Sequence, residues 1–172
     1  MFESWALLVN PPPRPTPSPA ETATETGALV QDIISRFHEV HRRDFPEAIR
    51  FARQVEQTGS LGPPGAPSVA DHLAMMFDDL EAHQQREERV LFPAMLSGGC
   101  AAIQVPVRRM MTEHEDVEAQ LATLKTMLGG YVAPAKSSIS RIMLVAYARK
   151  IDQDLREHMR IENEELFAPY LS

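Results

Sequence analysis

Four stretches with helical apolar spacing, breaker-rich connections between them and no run of period-two alternation predict an all-α fold. The arrangement expected is an up-down-up-down four-helix bundle behind a proline-rich N-terminal tail. The 172 residues suffice for one domain with a real core and are too few for two comfortable ones. The tail is assigned to residues 1–25 and the bundle to residues 26–172.

In the tail, Trp5 to Val9 form a short apolar patch without a basic region, far too short for a signal or a membrane span. It is read either as a segment packing back onto the bundle or a partner subunit, or as free chain. Residues 10–20 carry prolines at nearly every second position and should be extended, polyproline-like chain rather than helix. Helix 1 should start near Thr26 and run to about Gln57, with Leu29, Ile33, Ile34, Phe37, His38, His41, Phe45, Ile49, Ala52 and Val55 on its buried side. Pro46 should kink or restart it, with Asp44 as cap. The breakers of residues 58–67 make a loop, and Ser68 with Asp71 resembles a capping box opening helix 2.

Helix 2 carries Leu73, Met76, Leu80, His83, Glu87 and Leu91, stops by Leu96, and is followed by a loop holding Cys100. Helix 3 can be entered at Pro106, shows Val107, Met110, His114, Val117, Leu121 and Leu124, and ends at Gly129-Gly130. Ser137 or Ser138 caps helix 4, whose apolar face is read as Ile139, Ile142, Met143, Ala146, Ile151, Leu155, Met159 and Leu166.

Composition narrows the function. A formal charge of −7 without any basic block argues against a nucleic-acid partner. One cysteine excludes an internal disulfide or a paired-cysteine motif and fits a reducing, cytoplasmic setting. No segment reads as a membrane span, so a soluble protein is expected.

The chemistry lies in a stretch used twice. Asp79 to Leu91-Phe92 and Asp154 to Leu166-Phe167 share the skeleton Asp-Leu-x-x-His-x-x-x-Glu-x-x-x-Leu-Phe, with a proline soon after. Residues four apart stack on one helix face, so each copy aligns a carboxylate, an imidazole, a second carboxylate and a leucine in one stripe. That stripe should end where Pro93 or Pro169 closes the helix. A His and a Glu one turn apart can ligate one metal or two adjacent ones. Imidazole with carboxylate suits iron, manganese and zinc better than magnesium or calcium. Two such stripes facing each other are a known way to build a di-metal site in a bundle. His114 and His38 also interrupt core-facing stripes, and a polar group there costs free energy unless satisfied. Four mid-helix histidines satisfy one another if metal sits between them. Spacing alone leaves His38 and His41 as rivals, reads Glu118 as a solvated neighbour of His114, and sets His72 too far from His83 to share its metal. Asp79 and Asp154, each one turn before a candidate histidine, could orient it by accepting its outer N–H.

With these segments in place the chain resembles the hemerythrin-like (HHE cation-binding) proteins, and among them the di-iron proteins that repair iron–sulfur centres. The likeness is carried by Ile34 to Glu47 around His38, by His83-x-x-x-Glu87 with Leu91-Phe92-Pro93, by Thr112-Glu-His114-Glu, and by His158-x-x-x-Glu162-Asn with Leu166-Phe167. The resemblance implies two non-haem irons, oxo- or hydroxo-bridged. It makes His38, His83, His114 and His158 terminal ligands and Glu87 and Glu162 the bridging carboxylates. It also selects His38 over His41. Repair relatives usually add an N-terminal paired-cysteine domain, where this chain has its proline-rich stretch. The resemblance implies reaction with O2, NO or peroxide, in iron-centre repair or nitrosative and oxidative stress defence, with a client iron–sulfur protein or a homodimer partner. An O2 or NO sensor or carrier acting through a protein partner, and a metal-free helical interaction module, are the alternatives.

Overall fold

A computed structural model describes residues 19–59, 61, 67–99 and 101–171. The Trp5–Val9 patch, most of the proline-rich stretch and Cys100 lie outside the described residues. Four long helices account for most of the rest, and no strand occurs among the described residues. Helix α1 (residues 19–57) consists of α-helical Pro19–Ile33, a π-helical turn Ile34–His38 and α-helical Glu39–Gln57. Helix α2 (residues 69–96) repeats the pattern with Val69–Arg86, a π turn Glu87–Leu91 and a last segment Phe92–Leu96. Helix α3 is Gln104–Met127, entered through a short 3-10 turn. Helix α4 (residues 139–166) joins Ile139–Ile161 to a π turn Glu162–Leu166.

Side-chain contacts give the order and direction. Glu56 meets Ser68 while His38 meets Glu88, so α1 and α2 are antiparallel. His72 meets the Gln120 carbonyl while His83 meets Glu113, which sets α3 against α2 in the same way. Ser140 bonds Gln54, Lys150 pairs with Asp44, and His158 faces His38, returning α4 alongside α1. The up-down-up-down bundle is therefore closed: each helix packs on the two that flank it.

Local signals explain the ends. Ser68 Oγ accepts the Asp71 N–H as an N-cap. The reciprocal carboxylate comes from Glu56 rather than Asp71: its Oε1 accepts from the Val69 and Ala70 amides, pinning the end of α1 to the start of α2. Of the two serines before α4, Ser138 is the cap, accepting from Arg141 N–H. Gly129, at φ 64°, closes α3 as expected.

Five expectations change. Helix α1 starts at Pro19 rather than near Thr26, since proline fits a first turn, where its missing N–H has no partner to lose. Of the kink or restart expected at Pro46, the restart does not occur, and the helix runs on through it. Asp44 caps nothing; it is buried and ion-paired to Arg43 and Lys150. Burial of Phe45 and Ala48 on either side of the exposed Pro46 outweighs the roughly 3 kcal/mol that an interior proline costs. Pro93 does not close α2 either. It falls just after the π turn, where the i→i−4 ladder has already been given up, whereas Pro169 does follow the end of α4. Finally, the face of α4 is rotated in its first turns: Leu144, Val145 and Ala148 are buried, while Ile139 and Ile142 are 79% and 50% exposed. Leu144, Ala148, Ile151 and Leu155 keep helical spacing with the site residues, and Ile139 and Ile142 do not.

The core is split. Twenty buried residues, including Phe45, Leu73, Leu121, Leu144 and Leu155, fill the end of the bundle nearest the α1–α2 and α3–α4 connections. Twelve others, including Ile33, Phe37, Phe92, Met110 and Phe167, fill the opposite end. Between them every helix contributes buried polar groups. Glu56→Ala should remove the shared cap and cost about 1–2 kcal/mol, seen as a lower denaturation midpoint of the metal-free protein. An unchanged midpoint would show that Ser68 alone starts α2.

Candidate metal centre

Each side chain in the polar layer is delivered by the helical period that builds the core. His38 follows Phe37 at the end of the α1 π turn. His83 and Glu87 stand one turn apart on α2, and His158 and Glu162 do so on α4. His114 continues the α3 stripe of Val107, Met110 and Val117. All six are at most 4% exposed. The π turns sit where the ligands are, with Glu87 and Glu162 each opening one and accepting the amide five residues on, from Phe92 and Phe167. Such bulges mark functional positions in helices because the added residue re-aims the side chains around it.

The six expected residues come together as two overlapping clusters. One is His38, Glu87, His158 and Glu162; the other is His83, Glu87, His114 and Glu162, with ligand atoms in each all within 4.8 Å of one another. Both carboxylates belong to both clusters. The four imidazoles all turn Nε2 inward. His38 and His158 Nε2 are 3.1 Å apart, and His83 and His114 Nε2 are 3.2 Å apart. Glu87 oxygens lie 3.2 Å from His83 and 3.5 Å from His38; Glu162 oxygens lie 2.9 Å from His158 and 3.2 Å from His114. Close as they are, none of the four carboxylate oxygens accepts a well-directed hydrogen bond. Nitrogens and oxygens converge on shared points instead of pairing along N–H directions. Buried carboxylates left in that state are costly, and a cation between the donors removes the cost.

The outer nitrogens carry a second pattern. His38 Nδ1 donates to Glu88 at 2.7 Å, His83 Nδ1 to Glu113 at 2.9 Å, and His114 Nδ1 to Asn163 at 2.9 Å. Such partners fix the ring and its tautomer, leaving Nε2 free for a metal. Asp79 and Asp154 do not serve here: Asp79 accepts from Gln120, and Asp154 pairs with Lys150. Asp79 is exposed and Asp154 half-buried at the outer edge of their helices, and the acceptor is supplied by the next helix instead. Glu88 and Asn163 each follow a glutamate shared by the two clusters and Glu113 precedes His114, a sequence signal legible only once the helix order is known. His41 is buried but outside both clusters, Glu118 is exposed, and His72 bonds the Gln120 carbonyl, all apart from the centre.

Electrostatics in the metal-free protein follow from this crowding. Burial pushes the His83 imidazole down, but Glu87, Glu113 and Glu162 together raise it to about 10. Burial and the neighbouring His158 lower His38. Burial works against Glu162 ionising, yet His158 and His114 hold it well below the usual carboxylate range. Burial likewise opposes ionised Glu113, and hydrogen bonds from His83, Arg86 and Arg109 overcome it and hold the acid at about 2. A surface groove of about 500 Å3 between α2 and α3, lined by Asp79, His83, Arg86, Glu113 and Asp116, reaches this edge of the centre.

The signs give a pH prediction for metal-free protein. Glu113 stabilises the fold above its ordinary 4.5 and loses that contribution as pH falls toward about 2. Protonated His83 stabilises it below its ordinary 6.5 and loses that contribution as pH rises toward about 10. Glu113→Gln should flatten the acid limb of a stability–pH curve measured by chemical denaturation; an unchanged acid limb would remove Glu113 from the account.

Comparison with known proteins agrees with the geometry. Residues 29–170 match the model of the hemerythrin HHE cation binding domain. The chain is 37% identical over 149 residues to the iron-sulfur cluster repair protein DnrN of Neisseria gonorrhoeae, covering 87% of this chain and 94% of that protein. It is 36% identical over 142 residues to the iron-sulfur cluster repair protein YtfE of Dickeya chrysanthemi, covering 82% of this chain but 64% of the relative. A probable iron-sulfur cluster repair protein of Haemophilus influenzae is 28% identical over 151 residues, 88% of this chain and 68% of the relative. The chain therefore spans nearly all of the first relative and about two thirds of the other two. Matched from α1 to the end of α4, the chain belongs to the hemerythrin HHE cation-binding domain family.

Proposed function

We propose that the chain is a non-haem di-iron protein acting in iron-centre repair or in defence against nitrosative and oxidative stress. The observation that carries the reading is the sharing of both buried carboxylates by two clusters of two histidines each. His38 and His158 would hold one iron, His83 and His114 the other, and Glu87 and Glu162 would bridge them. Bound iron supplies redox chemistry toward O2, NO or peroxide. The chain's own residues supply the rest: apolar clusters on both sides exclude water, and Glu88, Glu113 and Asn163 hold three imidazoles in register. Relatives named for iron–sulfur cluster repair support an iron–sulfur protein as client and a cytoplasmic setting. Among the described residues no helix is long and apolar enough to cross a membrane.

Metal content and visible spectrum of protein purified without oxygen and then exposed to air test the centre. About two irons per chain and a near-ultraviolet band of an oxo-bridged pair are expected. Glu162→Ala and His83→Ala should each abolish that band and weaken iron retention by roughly tenfold or more. Because His83 must give up its proton to bind metal, uptake should release protons and tighten as pH rises. Turnover of NO or peroxide would make the protein an enzyme; stoichiometric reversible binding would make it a sensor or carrier. Helical, monodisperse protein without any transition metal would overturn the reading in favour of an interaction module.

A further inference from the structure

Three of the four inward histidines donate their outer N–H to a residue of the following helix: His38 of α1 to α2, His83 of α2 to α3, and His114 of α3 to α4. The fourth, His158 of α4, should look to α1. Its Nδ1 is buried and lacks a protein hydrogen-bond partner. One face of the ring is covered by Phe37, stacked at 5.2 Å, so an acceptor must approach at the edge. The residue beside it on α1 is His41, with ring centroids 5.5 Å apart. His41 is fully buried, is outside both metal clusters, and has its own unpartnered atom, Nε2. Its other nitrogen, Nδ1, sits 3.0 Å from the side-chain amide of Gln84, which is buried as well. Two unpartnered buried nitrogens on adjacent rings each cost free energy, and one contact between them satisfies both.

We infer that His41, held by Gln84, is the positioning residue for His158 and closes the outer ring of acceptors around the bundle. The amide of Gln84 can present either end to His41 Nδ1. With its oxygen inward, the proton of His41 sits on Nδ1 and the bare Nε2 accepts from His158 Nδ1–H. With its nitrogen inward, His41 carries the proton on Nε2, and one water accepts from both rings. Either way the contact fixes the His158 tautomer that leaves Nε2 for the metal. The completed ring has a pattern of its own. Each cluster then pairs one histidine backed by a carboxylate (His38 by Glu88, His83 by Glu113) with one backed by a neutral group (His158 by His41, His114 by Asn163). The two metal positions are matched in charge, and His41 is the counterpart of Asn163.

This inference rests on the two-metal reading, and the test separates them. The probe is 15N-labelled full-length protein loaded with Zn(II), a diamagnetic stand-in, with histidine ring signals read by long-range proton–nitrogen correlation. His158 should show a slowly exchanging Nδ1–H with a through-space contact to the His41 ring. His41→Leu should speed exchange of that proton and accelerate zinc release from one of the two positions by about tenfold, leaving His38, His83 and His114 signals in place. His41→Gln, which can still accept, should recover most of the loss, and Gln84→Leu should reproduce part of it should His41→Leu fold poorly. A coordination shift on His41 itself would overturn the proposal, because it would make His41 a ligand. So would two bound zincs with unchanged His158 exchange and release in all three variants. Failure to bind any zinc would overturn the centre along with it.

Discussion

Two carboxylates and four imidazoles are buried together in one layer of the bundle, and the remaining architecture answers to that constraint. In a low-dielectric interior such a layer is strongly unfavourable unless each donor atom has a partner. The helices meet the condition in two shells. Facing inward, Nε2 atoms and carboxylate oxygens converge in two clusters, the ligand atoms of each within 4.8 Å of one another, an arrangement that suits cations. Facing outward, Nδ1 atoms are tied to the next helix, which turns helix packing into ring orientation. Packing and ligation are thus the same contacts seen from two sides.

The π turns show how the helices meet the constraint. A regular helix can place His and Glu one above the other, but the stripe drifts, and the apolar residues beyond it must still face the far cluster. One extra residue per turn re-phases the helix at the ligand. Leu91, Phe92, Leu166 and Phe167 are then all buried in the far cluster, just as Phe37 is on α1. Phe92 and Phe167 lie against His38 and His114, with ring centroids 6.0 Å apart in both cases, and seal the metal layer from that end. The repeated skeleton therefore specifies a backbone irregularity as well as a ligand pair.

Much of this was legible before any coordinates. The all-α class, the four helices and their breaker-defined connections follow from 3.6-residue spacing, and the duplicated motif marks His83, Glu87, His158 and Glu162; His114 interrupts an apolar stripe, and only the family resemblance chose His38 over His41. What escaped has definite causes. Proline rules anticipate a stop at Pro93 and a break at Pro46, but tertiary burial and the π turn override them. Helix α4 opens with two isoleucines three residues apart, Ile139 and Ile142, whose phase cannot be told from sequence until the site fixes the inward direction. The outer partners Glu88, Glu113 and Asn163 escape because they lie across a helix boundary from the histidines they hold. Local spacing pointed to Asp79 and Asp154, which instead bond Gln120 and Lys150 on the surface.

The division of the core into two unequal parts has a consequence for the order in which the molecule comes apart. Among the described residues twenty buried apolar side chains lie on one side of the polar layer and twelve on the other. Amide protons near Leu73, Leu121 and Leu144 are then governed by whole-molecule unfolding, whereas those near Val30, Met95 and Val107 exchange through a smaller opening that severs the layer. The buried polar layer would then be the seam between two cooperative units. A chain built this way should part first at the end with the smaller cluster, where Leu91, Phe92, Leu166 and Phe167 are buried, while the larger cluster keeps the four helices in register.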